Sequence, residues 1–241
     1  MGYGTKAMVF WLLLVAVNAR GEEPVIQLVN APSVAQYDDR FYLAGIVGSS
    51  FGTLTSPDIS SVTDPLFTAG GALGYSWDLE KGAMRVEVEG RHRDPIAGVT
   101  TLSDGFSSES LSATNGWSAT VNLWGVFDVN DRVTCYVGGG IGGGGYQFGV
   151  EQNFPIQDTT LSGLGTVNGF AWQAGGGIAW AITDGLTLDL GYRFFAFGVG
   201  GVMAQIAQNG VPIDTTNVTS GFSAGELFFA FRIYEPFRGW L

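Results

Sequence analysis

His92 is the only histidine among 241 residues, so a serine, histidine and acid relay would have to run through it. Gly90 and the arginines at 91 and 93 bring no nucleophile to its side of an extended chain, and the nearest serines fall in the following loop. That makes His92 an interface residue rather than a catalytic base. Glu87 and Glu89 lie two apart, which sets both on one side of a strand, as an acid and base pair needs. Arg85, Arg91 and Arg93 share that side. Buried charges persist only when paired, so the five read as a structural ion network. The run "GGGIGGGG" (138–145) contains the spacing G-x-G-x-x-G. A phosphate loop needs a helix to follow, whereas this chain runs on through Tyr146 and Phe148 in strand-like alternation. The glycines are better explained as space for bulky neighbours. Cys135 is the only cysteine, which excludes an internal disulfide and any metal site built on several thiolates. No cofactor is expected.

The stretch "MRVEVEGRHR" (84–93) shows what must position these side chains. Its charges fall at every second residue, and period two means a strand with two unlike faces. From residue 41 onward, eight such stretches follow, at roughly 41–52, 66–79, 83–93, 117–128, 133–147, 170–183, 186–197 and 222–234. Most have the ten or more residues that a tilted membrane strand requires. Short turns at 80–82, 129–131 and 183–185 alternate with long connections at 53–65, 94–116, 148–169 and 198–221. That pattern predicts an all-β fold, an eight-stranded antiparallel up-and-down transmembrane barrel with long loops at its outer end. These loops hold Asp58, Asp64, Asp94, Asp104, Glu109, Glu151, Asp158 and Asp214 and no lysine or arginine. They lack the D-x-D-x-D-G spacing of a calcium loop and read as a solvated acidic cap. The competing reading is a surface for divalent cations or a basic partner.

Alternation alone leaves open which face turns inward, since a secreted soluble barrel with a lipophilic pocket also alternates. The polar face is mostly small: Thr68, Gly70, Ala72, Gly74 and Ser76 in one strand, Ala171, Gln173, Gly175, Gly177 and Ala179 in another. A narrow lumen needs such residues, whereas a solvated exterior would be rich in Lys and Glu. The apolar face carries aromatics toward both strand ends. Trp77, Phe127 and Trp180 fall near the short turns, and Trp117, Phe170 and Trp172 near the long loops, as membrane-interface girdles should. Facing lipid, each arginine of 85–93 would cost about 2–4 kcal/mol near mid-depth, so that face belongs to the lumen. The expected luminal network comprises Asp78, Arg85, Glu87, Glu89, Arg91, Arg93, Asp189, Arg193, Glu226 and Arg232, with Arg193 beside Glu226, Asp189 beside Arg232 and Asp78 near Arg85. With Trp124, Tyr136, Phe195 and Phe228 added, the lumen reads as filled.

Lys6 precedes the apolar run "AMVFWLLLVAV", and "VNA" (17–19) follows with small residues where a signal peptidase cuts. Residues 1–19 are therefore expected to be a cleaved export signal, 20–40 a polar lead-in, 41–235 the barrel and 236–241 a tail. Losing Lys6, the one charge of 1–19, takes the net charge from −11 to −12. An acidic chain without basic clusters argues against nucleic acid as a partner.

Three stretches carry a resemblance: "RVEVEGRHR" (85–93), "YVGGGIGGGGYQF" (136–148) and "FAWQAGGGIAWAITDGLTLDLGYRFF" (170–195). They are similar to the OmpA-like eight-stranded outer-membrane barrels, especially the opacity-protein and surface-antigen branch. The resemblance implies a bacterial outer-membrane location, lipid around a monomeric barrel, and a role in envelope structure or surface contact, of adhesin or surface-antigen type, with an unidentified surface partner at the loops. It implies no catalytic residues, and the chain is expected not to be an enzyme. Three other functions set against it are a soluble lipocalin-like binder, a lipid A-modifying acyl enzyme using His92, and a small pore.

Overall fold

The computed structural model describes residues 40–236, apart from 58, 80, 81, 103 and 105. The expected export signal, lead-in (to 39) and tail (from 237) lie outside the described residues. Nine antiparallel strands follow in order: β1 (Arg40–Thr55), β2 (Ser61–Asp78), β3 (Ala83–Arg93), β4 (Ile96–Thr101), β5 (Ser108–Asn130), β6 (Val133–Phe154), β7 (Thr159–Thr183), β8 (Leu186–Gln208) and β9 (Val211–Tyr234). β3 and β4 both pair with β5 and form one wall element, broken at Asp94 and Pro95. Each element pairs with its neighbour in the chain, and β9 returns to β1, with Tyr42 opposite Tyr234 and Thr55 opposite Gly221. The pairings close a ring of eight walls.

The side-chain pattern follows from period two. In β3, Arg85, Glu87, Glu89, Arg91 and Arg93 are buried, while Met84, Val88, Gly90 and His92 are exposed. β1, whose sequence leaves its orientation open, turns Tyr42, Ile46, Ser50 and Leu54 inward and Phe41, Leu43, Val47 and Phe51 outward. At one end the turns are tight. Asn130 Oδ1 accepts the backbone N–H groups of Arg132 and Val133, both at 3.0 Å, an Asx turn that caps the β5–β6 hairpin. Leu79 N–H donates to Gly82 O at 3.0 Å, where Gly82 takes φ 87°.

The other end differs from the sequence expectation. Most of 53–65, 94–116, 148–169 and 198–221 is strand, and the connections shrink to 56–60, 102–107, 155–158 and 209–210. The reason lies in residues that composition reads as loop. In "SESLSA" (108–113), Ser110 and Ser112 alternate with buried Leu111 and Ala113, and β9 carries Val211, Thr215, Thr216, Val218 and Thr219, all suited to a pleated surface. The β8–β9 hairpin closes on Asn209 and Gly210 at φ 50° and 72°, the left-handed pair of a type I′ turn. These hairpins enclose an apolar interior of Leu54, Leu66, Ile96, Leu111, Phe148, Val150, Phe197, Val202 and Phe222, among others.

Candidate functional site: a buried ion network below an apolar cap

Strands β8 and β9 set the order of layers along the lumen. From the short-turn end, β8 turns Asp189, Gly191 and Arg193 inward, then Phe195, Phe197, Val202 and Ala204. β9 runs the opposite way with Val218, Phe222, Ala224, Glu226, Phe228, Ala230 and Arg232. A charged layer therefore lies between the short turns and the apolar cap.

Glu226 is the hub. Its Oε2 accepts Arg193 Nε at 2.7 Å and Arg91 Nη1 at 3.1 Å, and its Oε1 accepts Arg93 Nε at 2.8 Å. Register makes this possible, because Arg193 and Glu226 are direct cross-strand partners. Glu89 ties the same arginines together, taking Arg91 Nε at 3.0 Å and Arg193 Nη1 at 2.8 Å. Aromatic rings support the guanidinium groups. Arg93 stacks 3.7 Å from the Phe195 ring centre, and Phe228 lies within 5.5 Å of both Arg91 and Arg193.

A second group sits nearer the short turns. Arg232 Nη2 donates to Asp189 Oδ2, and Arg85 Nη1 lies 3.8 Å from the same oxygen. Asp189's direct cross-strand partner is Ala230, so Arg232 reaches it diagonally. Glu87 is held by neutral donors: Tyr42 O–H at 2.7 Å, Trp124 Nε1 at 2.8 Å and Asn122 Nδ2 at 3.1 Å, and Asn122 Nδ2 also reaches Glu89 Oε2 at 3.3 Å. Gln173 Nε2 then donates to Asn122 Oδ1 at 2.6 Å. All of these side chains are buried.

Two placements depart from the sequence reading. Asp78 shares the luminal parity but lies exposed at the end of β2, opposite Ala83, and Arg85 instead pairs with Asp189. The strand ends there and water reaches the carboxylate, so its charge stays hydrated outside the lumen. Glu109, read as part of a solvated cap, is buried and accepts Gln152 Nε2 at 2.9 Å. The polar residues that complete the network, Tyr42, Thr68, Ser118, Asn122 and Gln173, were absent from the expected charge set. Period two alone would have found several, since "WSATVNLW" puts Ser118, Thr120, Asn122 and Trp124 on one face.

The glycine run has a spatial role here. A methyl group at Gly138 would stand 2.9 Å from the Trp124 ring, and one at Gly175 would stand 2.5 Å from Arg193 Cβ. Both positions admit the bulky luminal side chains beside them. His92 points outward between Ala69 and Trp117 on the neighbouring strands, away from the buried carboxylates. The six aromatics expected at interfaces are exposed on the outer wall. Phe127 and Trp117 lie ten positions apart on β5, about 34 Å along a strand and about 25 Å once tilted.

At the outer tips, Asp104 folds back on its own loop. It accepts the Ser107 hydroxyl at 2.5 Å and the backbone N–H groups of Ser107 and Phe106 at 2.8 and 2.9 Å. The Ser107 hydroxyl first, then those N–H groups, hold its carboxyl below the usual carboxylate range.

A closed eight-walled barrel with a charged, filled lumen and an apolar outer wall defines a membrane-spanning barrel. The chain belongs to the outer membrane protein beta-barrel domain family, whose model matches residues 25–224, and it resides in the bacterial outer membrane. Among solved structures it is similar to Neisserial surface protein A, at 18% identity over 80% of this chain and 96% of that one, with a TM-score of 0.42. It is also similar to the attachment invasion locus protein Ail of Yersinia pestis (13%, 80% and 98%, TM-score 0.35). A third is the outer membrane protease OmpT from Escherichia coli (5%, 83% and 97%, TM-score 0.45). Likenesses at this level say nothing of activity. No curated protein matches the chain.

Proposed function

We propose that this chain is a non-enzymatic envelope protein that acts as a monomer in lipid and meets other surfaces through its outer hairpins. The observation that carries this reading is the make-up of three tips. Phe106, Ile156 and Val211 with Ile213 are exposed at 69%, 74%, 60% and 58%, and each tip also carries a carboxylate, Asp104, Asp158 or Asp214. Residues 94–116, 148–169 and 198–221 contain no lysine or arginine. Exposed apolar groups beside uncompensated negative charge suit a partner that is both apolar and basic. Catalysis fits less well, because His92 faces the lipid side with Trp117 beside it. Conduction fits less well too, because the cavities inside the wall measure only about 20–30 Å³.

Cells displaying the protein should adhere to a surface coated with a basic protein and not to one coated with an acidic protein. Salt well above physiological strength should weaken the adhesion. Changing Phe106, Ile156 and Ile213 together to serine should reduce it several-fold while the folded barrel stays in the membrane. Adhesion equal to that of cells without the barrel would remove the proposal.

A further inference from the structure

The buried charges of the layer below the apolar cap do not balance; Glu109, also buried, lies further out at the start of β5 beside Gln152. In the layer, Arg85, Arg91, Arg93, Arg193 and Arg232 meet four carboxylates, Glu87, Glu89, Asp189 and Glu226, which leaves one positive charge in excess among its described residues. The hydrogen bonds are out of balance in the same sense. Arg85 Nε, Arg91 Nη2, Arg93 Nη2, Arg193 Nη2 and Arg232 Nε are buried donors without an acceptor, and the Tyr136 hydroxyl is also unpartnered. Against them, Asp189 Oδ1 is the only oxygen of the four carboxylates in that condition.

Charge count and donor count are separate observations, and they ask for the same thing. A water molecule would accept from a stranded donor, but it would present two protons of its own and bring no charge. A small anion only accepts, and it carries the missing negative charge. There is a place for it. Arg85, Arg193 and Arg232 line a cavity of about 20 Å³ with Tyr136, Phe228 and Ala230 around them. Glu87, Glu89 and Asp189 reach the same cavity; Glu87 and Glu89 each already take at least two donors from the protein, and Asp189 takes Arg232 through Oδ2, leaving only Oδ1 against the stranded donors. The volume suits one small particle, a water molecule or a monatomic anion.

We propose that this cavity binds one halide ion, chloride under ordinary conditions, held by Arg85, Arg193, Arg232 and the Tyr136 hydroxyl. The ion neutralises the network and ties β3, β6, β8 and β9 together across the lumen. Binding to the folded state alone raises stability as the ion saturates its site.

The test uses the whole refolded barrel in detergent, with sodium chloride or bromide exchanged for sodium gluconate at constant ionic strength. The thermal midpoint should rise by a few degrees and saturate with either halide, and stay flat in gluconate. Crystals grown in bromide should give an anomalous peak in the cavity. Ala230→Leu fills the space while leaving every arginine in the sequence and should abolish the halide response. Equal midpoints in halide and gluconate, or bromide peaks only outside the cavity, as at the exposed Arg132, would overturn the proposal. So would a full halide response in the Ala230→Leu protein. If that variant does not fold, the bromide crystals and the wild-type titration still decide.

Discussion

Glu226 shows how much one residue can hold. Its two oxygens accept three guanidinium groups from two strands, β3 and β8, with every partner buried. Removing one member of a buried ion group leaves the others desolvated and unpaired, at a cost of about 3–5 kcal/mol. Glu226→Ala should therefore destabilise the barrel by that amount in denaturant unfolding from detergent. In a double-mutant cycle, Arg193→Met should cost much less once Glu226 is already gone, giving a coupling of about 1–3 kcal/mol. Additive single losses would mean that the pair is not energetically linked. At this scale the sequence was legible wherever charge and parity coincided. The alternation at 85–93 named five buried residues, and the expected pairing of Arg193 with Glu226 matches their cross-strand register. It was blind to Glu87's neutral donors, because nothing in a tyrosine, tryptophan or asparagine on a luminal face says which carboxylate it will reach across the barrel.

The strands are the elements that decide what each face meets. The membrane-crossing portions were readable because lipid imposes an apolar outer row about ten residues long, bounded by aromatics. Beyond that row the outer face meets water and the signal weakens. Serine, threonine and glycine on a solvated strand look like loop, and the hairpins of β5 to β9 were shortened accordingly. The inward row still alternates there, with Leu111, Val150, Val202 and Val218 buried, so the missing information was subtle rather than absent. This division of the wall predicts a depth-dependent response to charge. Val88 is exposed in the middle of β3, between the two aromatic levels, whereas Val99 is exposed on β4 beyond the Trp117 level. Val88→Arg should cost about 2–4 kcal/mol of stability in lipid, and Val99→Arg should be close to neutral. Stability measured by urea unfolding from vesicles separates the two. Equal costs would mean that the lipid-facing band extends over β4, and equal neutrality that the apolar face is not in lipid.

For the whole molecule, the stacking of layers matters more than any one of them. The apolar interior of the outer hairpins closes the lumen above the ion network, and Arg93 lies where the two meet, beside Phe195, Phe197 and Phe222. With water kept out, the pairs around Glu226 and Glu89 interact at low effective dielectric, and dissolved ions outside screen them little. The cap therefore has an electrostatic consequence as well as a packing one. Cutting both Phe197 and Phe222 to alanine should open a water path from the outer mouth to Arg93. Each truncation also loses packing, at about 3–5 kcal/mol for a fully buried ring, so the informative quantity is the response to salt rather than stability itself. Raising sodium gluconate from about 0.05 M to 1 M shortens the screening length from well over 10 Å to about 3 Å. The denaturation midpoint of the double variant should fall relative to the wild type across that range, as its ion pairs become exposed to screening. Parallel responses in the two proteins would show that the outer hairpins do not seal the lumen, and the charged layer would then have to be stable in contact with water by its own geometry.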